Sequence, residues 1–189
     1  MRKITDSLKF KIMTVLIFLV MSKAQSQTDK LYKIKVTTID NKEIKLSGYT
    51  DRKLLVYICD VSNPDVADLK KLEVLYQQNK TRLSVVVVPV TDLNKGGYPS
   101  KFTTMLDTLK LSYVITQPTN GKKENKSAQN ELLSYLTDKK QNNHFDDAIT
   151  KPGEFFILSE RGKLYARLKE GIPVEGAAMN KLIHKAIKD

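Results

Sequence analysis

One cysteine, Cys59, and two histidines, His144 and His184, are what this 189-residue chain offers as nucleophile or base near neutral pH. Around the cysteine the sequence reads "LLVYICDVSNPDVAD" from residue 54 to 68, an apolar, strand-like run passing into a helix start. A nucleophilic thiol is favoured at the first turn of such a helix, where unpaired amides and the positive end of the dipole hold sulfur as thiolate. Cys59 lies four residues upstream of Asn63, inside the apolar run. At ~3.3 Å per residue, four residues put it up to ~13 Å below the helix start. Apolar burial there raises a thiol above its free pKa of ~8.5 and removes the thiolate. Cys59 therefore reads as a packed core residue. The alternative, a redox thiol, needs the strand end to shift and expose the sulfur. The stretch Asn63-Pro64-Asp65 is accounted for structurally, with Asn as N-cap, Pro at the first helical position and Asp near the positive end.

The other candidates carry less. His144 stands near Asp146 and Asp147 in the polar "DKKQNNHFDDAITK", a set that binds metal loosely if at all, and no metal site is assigned. His184 follows Leu182 and Ile183 and reads as a helix-flank residue. No Gly-x-Ser-x-Gly, Gly-x-Gly-x-x-Gly, phosphate loop or Cys-x-x-Cys is present, so no cofactor is implied.

These residues must be positioned by a regular alternation of elements. "LYKIKVTTIDNKEIKLSGY" gives two alternating runs around Asp40-Asn41, a β-hairpin. "KLLVYIC" is a strand covered on both faces. Val66, Leu69, Leu72, Leu75 and Tyr76 form a helical stripe over 65–79, and "LSVVVVPV" returns as a second strand, completing a βαβ unit. A short helix carries Phe102, Met105, Leu106 and Leu109, with Ser100 as its cap. "LSYVITQP" is a third strand, and a polar turn leads to a helix bearing Ala128, Leu132, Leu133 and Leu136. "DKKQNNHFDDAITK" reads as an exposed loop and "EFFILSERGKLYARL" as a hairpin turning at Glu160–Gly162. A last helix offers Ala178, Leu182, Ile183, Ala186 and Ile187 to the core. This order implies one three-layer α/β domain.

Residues 1–26 have a basic start, an apolar run from Ile12 to Met21 and small residues at Ser22, Ala24 and Ser26, the layout of a signal peptide cleaved after Ala24 or Ser26. Ten apolar residues fall short of the ~20 that cross a bilayer, so the mature chain, 27–189, is expected to be periplasmic or secreted without stable membrane insertion. Cleavage removes five basic residues and one acidic, lowering the formal charge from +11 to +7. The remaining lysines alternate with acids and lack interleaved aromatics, which argues against nucleic acid. An envelope protein is the partner class left open.

The order of elements resembles the glutathione peroxidase family of the thioredoxin fold over roughly residues 31 to 187. "LSGYTDRK", "VVVVPVTDL", "PTNGKKENKSAQNELLSYL" and "TKPGEFFILSERGKL" are similar to family segments in the same order. The resemblance implies a thioredoxin-like α/β/α sandwich with an N-terminal β-hairpin. It also places the family's active-site positions: the peroxidatic cysteine falls on Asn63, the glutamine on Asp92, and the tryptophan and asparagine on Lys151 and Pro152. All four differ, which implies a divergent member without the peroxidase mechanism. What remains is a ligand rim beyond the carboxyl ends of the strands, built from Ser62, Asn63, Asp92, Asn94, Lys151 and Pro152, with Asp92 opposite Lys151 as an ion pair or as brackets for a polar ligand.

Overall fold

The structure, a computed structural model, describes residues 30–93, 102–125 and 129–187. The signal-like segment 1–26, Asn94, Ser100 and Ala128 lie outside the described residues.

Strands β1 (Lys35–Thr37) and β2 (Glu43–Lys45) form the expected antiparallel hairpin, with Val36 opposite Ile44. Asn41 takes the left-handed conformation at φ 65°, the region Asn tolerates best after Gly. A 3-10 turn at Leu46–Tyr49 then leads into β3 (Lys53–Asp60), every residue of which is buried.

Helix α1 (Val66–Asn79) crosses over to β4 (Leu83–Val90), which runs parallel to β3. The capping residue of α1 is Asp65, whose side chain accepts the Asp68 amide at 2.9 Å, and not Asn63 as the sequence suggests. The shift is physical. Asp caps as well as Asn does, and with Asp65 as cap the helix begins at Val66, leaving Pro64 outside it.

Helix α2 (Phe102–Leu109) and the two-residue strand β5 (Val114–Ile115) follow, then α3 (Glu131–Thr137), capped by Asn130. The segment expected to be a plain exposed loop contains a one-turn helix, α4 (Lys139–Asn142). Its Asn142 is fully buried and donates to the carbonyls of Tyr135, Leu136 and Phe145, while its side-chain oxygen accepts the amides of His144 and Phe145. Strands β6 (Phe155–Leu158) and β7 (Leu164–Leu168) form the second hairpin, and α5 (Ala177–His184) closes the fold. In the β6–β7 turn Gly162 has φ +75°, and a Cβ there would come within 2.8 Å of Leu31, so both conformation and space select glycine.

The five-stranded sheet has the order β5-β4-β3-β6-β7, with β6 antiparallel to β3. Strand alternation divides its side chains between two cores. Leu55, Tyr57 and Cys59 of β3 face Leu69 and Leu72 of α1, Phe102 of α2 and Ile183 of α5. Leu54, Val56 and Ile58 face Leu132, Tyr135 and Leu136 of α3 together with Val36 of the first hairpin. The result is a thioredoxin-like α/β/α sandwich. The inner face of α5 differs from the expected one: Met179 and Ile183 are buried, Leu182 is partly buried, and Ala178 and Ala186 are exposed.

Candidate functional site

The register gathers the sequence-derived positions at one end of the sheet. β3 and β4 run parallel with Cys59 opposite Pro89 and Asp60 opposite Val90, so Ser62 and Asn63 leave β3 where Asp92 leaves β4. Lys151 and Pro152 approach the same end. The backbone of Gly153 donates to the Ile58 carbonyl at 2.8 Å, and the Ile58 amide donates to Glu154 O at 3.0 Å. Asn63 is exposed, while Ser62 and Pro152 are half-buried. The Ser62 amide donates to Asp60 Oδ1 at 2.8 Å, an Asx turn that bends the chain out of β3.

Cys59 is 1% exposed and sits among the apolar residues of the α1 face. Its Sγ donates weakly to the Asp60 carbonyl at 3.6 Å. Burial, followed by the nearby acids Asp60 and Asp65, pushes the thiol from its ordinary value of 9.0 up to about 12. At neutral pH such a group is a neutral, enclosed thiol.

Asp92 and Lys151 each contact other groups of the protein. Asp92 Oδ1 accepts the Gly121 amide at 2.6 Å and Oδ2 the Lys122 amide at 3.2 Å. Thr91 Oγ1 donates to Asn120 Oδ1 at 3.0 Å, and buried Gln129 donates to the Gly121 carbonyl at 3.0 Å. The Asn-Gly turn is thereby fixed to the exit of β4. Lys151 pairs with Glu170 at 2.8 Å, both exposed. The expected Asp92–Lys151 ion pair is replaced by two separate local contacts.

No cluster of three or more His, Cys, Asp or Glu side chains suited to a metal occurs among the described residues. Asp146 is committed to Lys123, and Asp147 lies 3.6 Å from Arg167. Burial and then Lys163 hold the His144 imidazole below its usual range. His184 is exposed, with Nδ1 3.3 Å from the Arg82 guanidinium.

Glu154 and Lys53, buried charged groups toward opposite ends of the sheet, were not singled out from the sequence. Glu154, fully buried, accepts Arg167 Nε at 2.6 Å, and Arg167 also donates to the carbonyls of Asp147 at 3.1 Å and Ala148 at 2.7 Å. The guanidinium lies 5.1 Å from the Phe156 ring centroid. This pair ties the segment before Lys151-Pro152 to the β6–β7 hairpin. Lys53, 2% exposed, donates to the carbonyls of Leu182 at 3.0 Å, Ile183 at 2.8 Å and Lys185. It is a C-terminal cap for α5 supplied from the start of β3. A charged residue at the edge of a continuous apolar run, as in "RKLLVY" and "GEFFIL", is the signal that both share.

No protein-family model matches the chain, and no curated protein matches it by sequence. Solved structures do. The apo form of Trgpx has a TM-score of 0.62 at 18% identity, covering 81% of this chain and 92% of that one. T. cruzi GPX1 has a TM-score of 0.61 at 18% identity, covering 80% and 93%. The pneumococcal exposed lipoprotein thioredoxin Etrx1 from Streptococcus pneumoniae has a TM-score of 0.50 at 13% identity, covering 78% and 96%. The fold is that of thioredoxin, and glutathione peroxidases are among the structures similar to it.

Proposed function

We propose that this protein is a divergent, glutathione-peroxidase-like thioredoxin-fold domain without peroxidase or disulfide chemistry, which acts by binding or assembly in the cell envelope. One observation carries the reading: its sulfur is enclosed in the α1-side core with its pKa raised to about 12, while the exposed helix approach holds Asn63. The positions around that approach serve local structure, Asp92 as acceptor for the 120–122 turn and Lys151 as partner of Glu170. The export reading is supported by the composition of residues 1–26 and by an exposed lipoprotein among the similar structures. No helix of the described residues is long and apolar enough to cross a membrane.

The test is hydroperoxide consumption by the purified protein, with glutathione and with thioredoxin as reductants. The expected rate equals that of a Cys59→Ala variant and of buffer. Turnover that disappears in Cys59→Ala would establish a thiol peroxidase and sink the proposal. Localisation is read by fractionating cells that express the full chain, with the protein expected in the envelope or medium, shortened by 24 or 26 residues, as the small residues Ala24 and Ser26 indicate.

A further inference from the structure

Strand β1 has a second edge, and part of it is open. In an antiparallel pair alternate residues turn their amide and carbonyl to the partner strand, and the residues between turn theirs away. Ile34 and Thr38 face β2, since Leu46 donates to the Ile34 carbonyl at 3.0 Å and Thr38 to the Lys42 carbonyl at 2.8 Å. The odd positions therefore face outward. Ile39 donates to the Ile115 carbonyl at 2.9 Å and Thr37 O accepts the Gln117 amide at 2.8 Å, so the chain after β5 runs antiparallel along this edge. It stops there. Pro118 has no N–H, and Thr119 turns to β4, donating to the Pro89 carbonyl at 3.0 Å and accepting the Thr91 amide at 3.1 Å. Lys35, next in line, is left with its outward amide and carbonyl facing no strand, because β1 pairs with β2 alone.

Where the two chains diverge lies a groove of about 570 Å3, lined by Lys35, Thr37, Pro118, Thr119 and Asn130 among others. It adjoins a second groove beside α3 through the shared residues Lys33, Gln129 and Glu131. Its volume falls in the ~300–1,000 Å3 range of ligand sites. The three side-chain amides of the groove are already committed. Gln117 Nε2 donates to Asn41 Oδ1 at 2.6 Å, Gln129 Nε2 to the Gly121 carbonyl at 3.0 Å, and Asn130 Oδ1 accepts the Leu133 amide at 2.9 Å. The strand edge is thus the hydrogen-bonding feature that an occupant meets. Charged side chains of the two grooves are Lys30, Lys33 and Lys35 against Glu43 and Glu131, one positive charge in excess. Lys35 is paired with Glu43 at 2.8 Å, whereas Lys33 forms no ion pair among the described residues.

We infer that the open edge of β1 binds an extended segment of a partner protein, added as an antiparallel strand with an acidic residue beside Lys33. Continuing the line of Gln117, the residue opposite Lys35 exchanges two main-chain hydrogen bonds with it. A side chain two positions further along the added strand comes level with Lys33 on the same face, where opposite charges across neighbouring strands attract. The surface deepens the binding reading above and rests on it for the source of the partner, an envelope protein. Hydroperoxide turnover would leave this groove as it stands, and a silent titration would leave the enclosed thiol as it stands, so the two readings fail separately.

The experiment is an NMR titration of the nitrogen-15-labelled full chain with the blocked pentapeptide acetyl-Ser-Thr-Val-Glu-Ser-amide. The Lys35 amide resonance is expected to move on binding. N-methylation of the peptide at threonine and glutamate, the two amides of one strand edge, is expected to weaken binding about tenfold, and Lys33→Glu about threefold. A peptide with lysine in place of glutamate should bind Lys33→Glu better than it binds the natural chain. Lys33 is exposed, and a dispersed spectrum confirms that the variant folds. Absence of movement at Lys35 with millimolar peptide overturns the inference. So does equal binding of the N-methylated peptide, or binding indifferent to Lys33→Glu. Acetyl-glutamate amide binding as tightly as the pentapeptide would assign the groove to a small anion, and movement of the Lys35 resonance with protein concentration alone would assign the edge to a second copy of the chain; either result overturns it.

Discussion

Asp92 Oδ1 accepts the backbone N–H of Gly121 at 2.6 Å, and this contact explains the residue at a position where the family resemblance expects a glutamine. Gly121 is buried, with Val90 and Leu93 within 3.3 Å of where a Cβ would stand, so its amide has no easy access to water. Asp92→Ala is expected to destabilise the protein by about 1–3 kcal/mol, the cost of stranding a buried donor. Asp92→Asn, which retains one acceptor oxygen, should cost less. Urea unfolding of the two variants decides: equal midpoints for Asp92→Ala and the natural chain would remove the structural role assigned to this carboxylate.

Cys59 makes stability depend on alkaline pH in a defined direction. Its pKa is raised from 9.0 in an open chain to about 12 when folded, so above pH 9 the unfolded state gives up a proton that the folded state keeps. The contribution is complete below the open-chain value and is lost as pH rises toward the folded one, at up to about 1.4 kcal/mol per pH unit for a single group. Buried Tyr57 and Tyr113 are shifted upward too, so the natural chain alone cannot isolate the thiol. The stability difference between it and Cys59→Ala should therefore narrow between pH ~8 and pH ~10. A constant difference would place the sulfur in contact with solvent. Labelling of the native thiol by iodoacetamide should accordingly be slow until the protein is unfolded.

The sequence shows the sheet more clearly than the site, for a physical reason. Continuous apolar runs such as "LLVYIC" and "SVVVVPV" can be satisfied only by strands covered on both faces, and the structure places them at the centre as β3 and β4. Alternation also settles which way Cys59 points, because Leu55 and Tyr57 share its face. The polar contacts follow no such period. Asp92 finds Gly121 across 29 residues, and Lys53 finds the end of α5 across about 130, pairings that only the folded chain creates. For the same reason the stretch around His144 looks like a loop in the sequence, whereas the buried amide of Asn142 organises it. Met179 lies one position from the expected Ala178, and that single step turns a helical side chain from solvent to core.

The Glu154–Arg167 pair should be more sensitive than any surface bridge in the molecule. Glu154 is fully buried and the Arg167 side chain is 3% exposed, so removing either partner strands a charge in a poorly polar setting. Glu154→Leu and Arg167→Leu are each expected to cost about 3–5 kcal/mol. The double variant should recover part of that loss, because neither charge is then left alone. A denaturant-based double-mutant cycle measures the coupling, and additive effects would contradict the enclosed geometry. Lys151→Ala, which removes only an exposed partner of Glu170, should change stability little by comparison.

Lys53 predicts a local effect rather than a global one. Its ammonium reaches the carbonyls of Leu182, Ile183 and Lys185 at the end of α5, with Glu160 3.8 Å away and the Tyr165 ring 5.8 Å from the nitrogen. Burial lowers its pKa despite the carboxylate of Glu160, so the charged form is held against a desolvation cost by those carbonyls. In Lys53→Met the stem is retained and the donors are lost. The final turn of α5 then has carbonyls to satisfy by water, and entry of water at that point loosens the contact of Ile183 with the sheet. Hydrogen exchange should quicken first in the amides of residues 181–185, while those of β3 and β4 keep the rates set by global unfolding. Uniform acceleration through the sheet would show that the lysine stabilises the whole domain and not the attachment of its last helix.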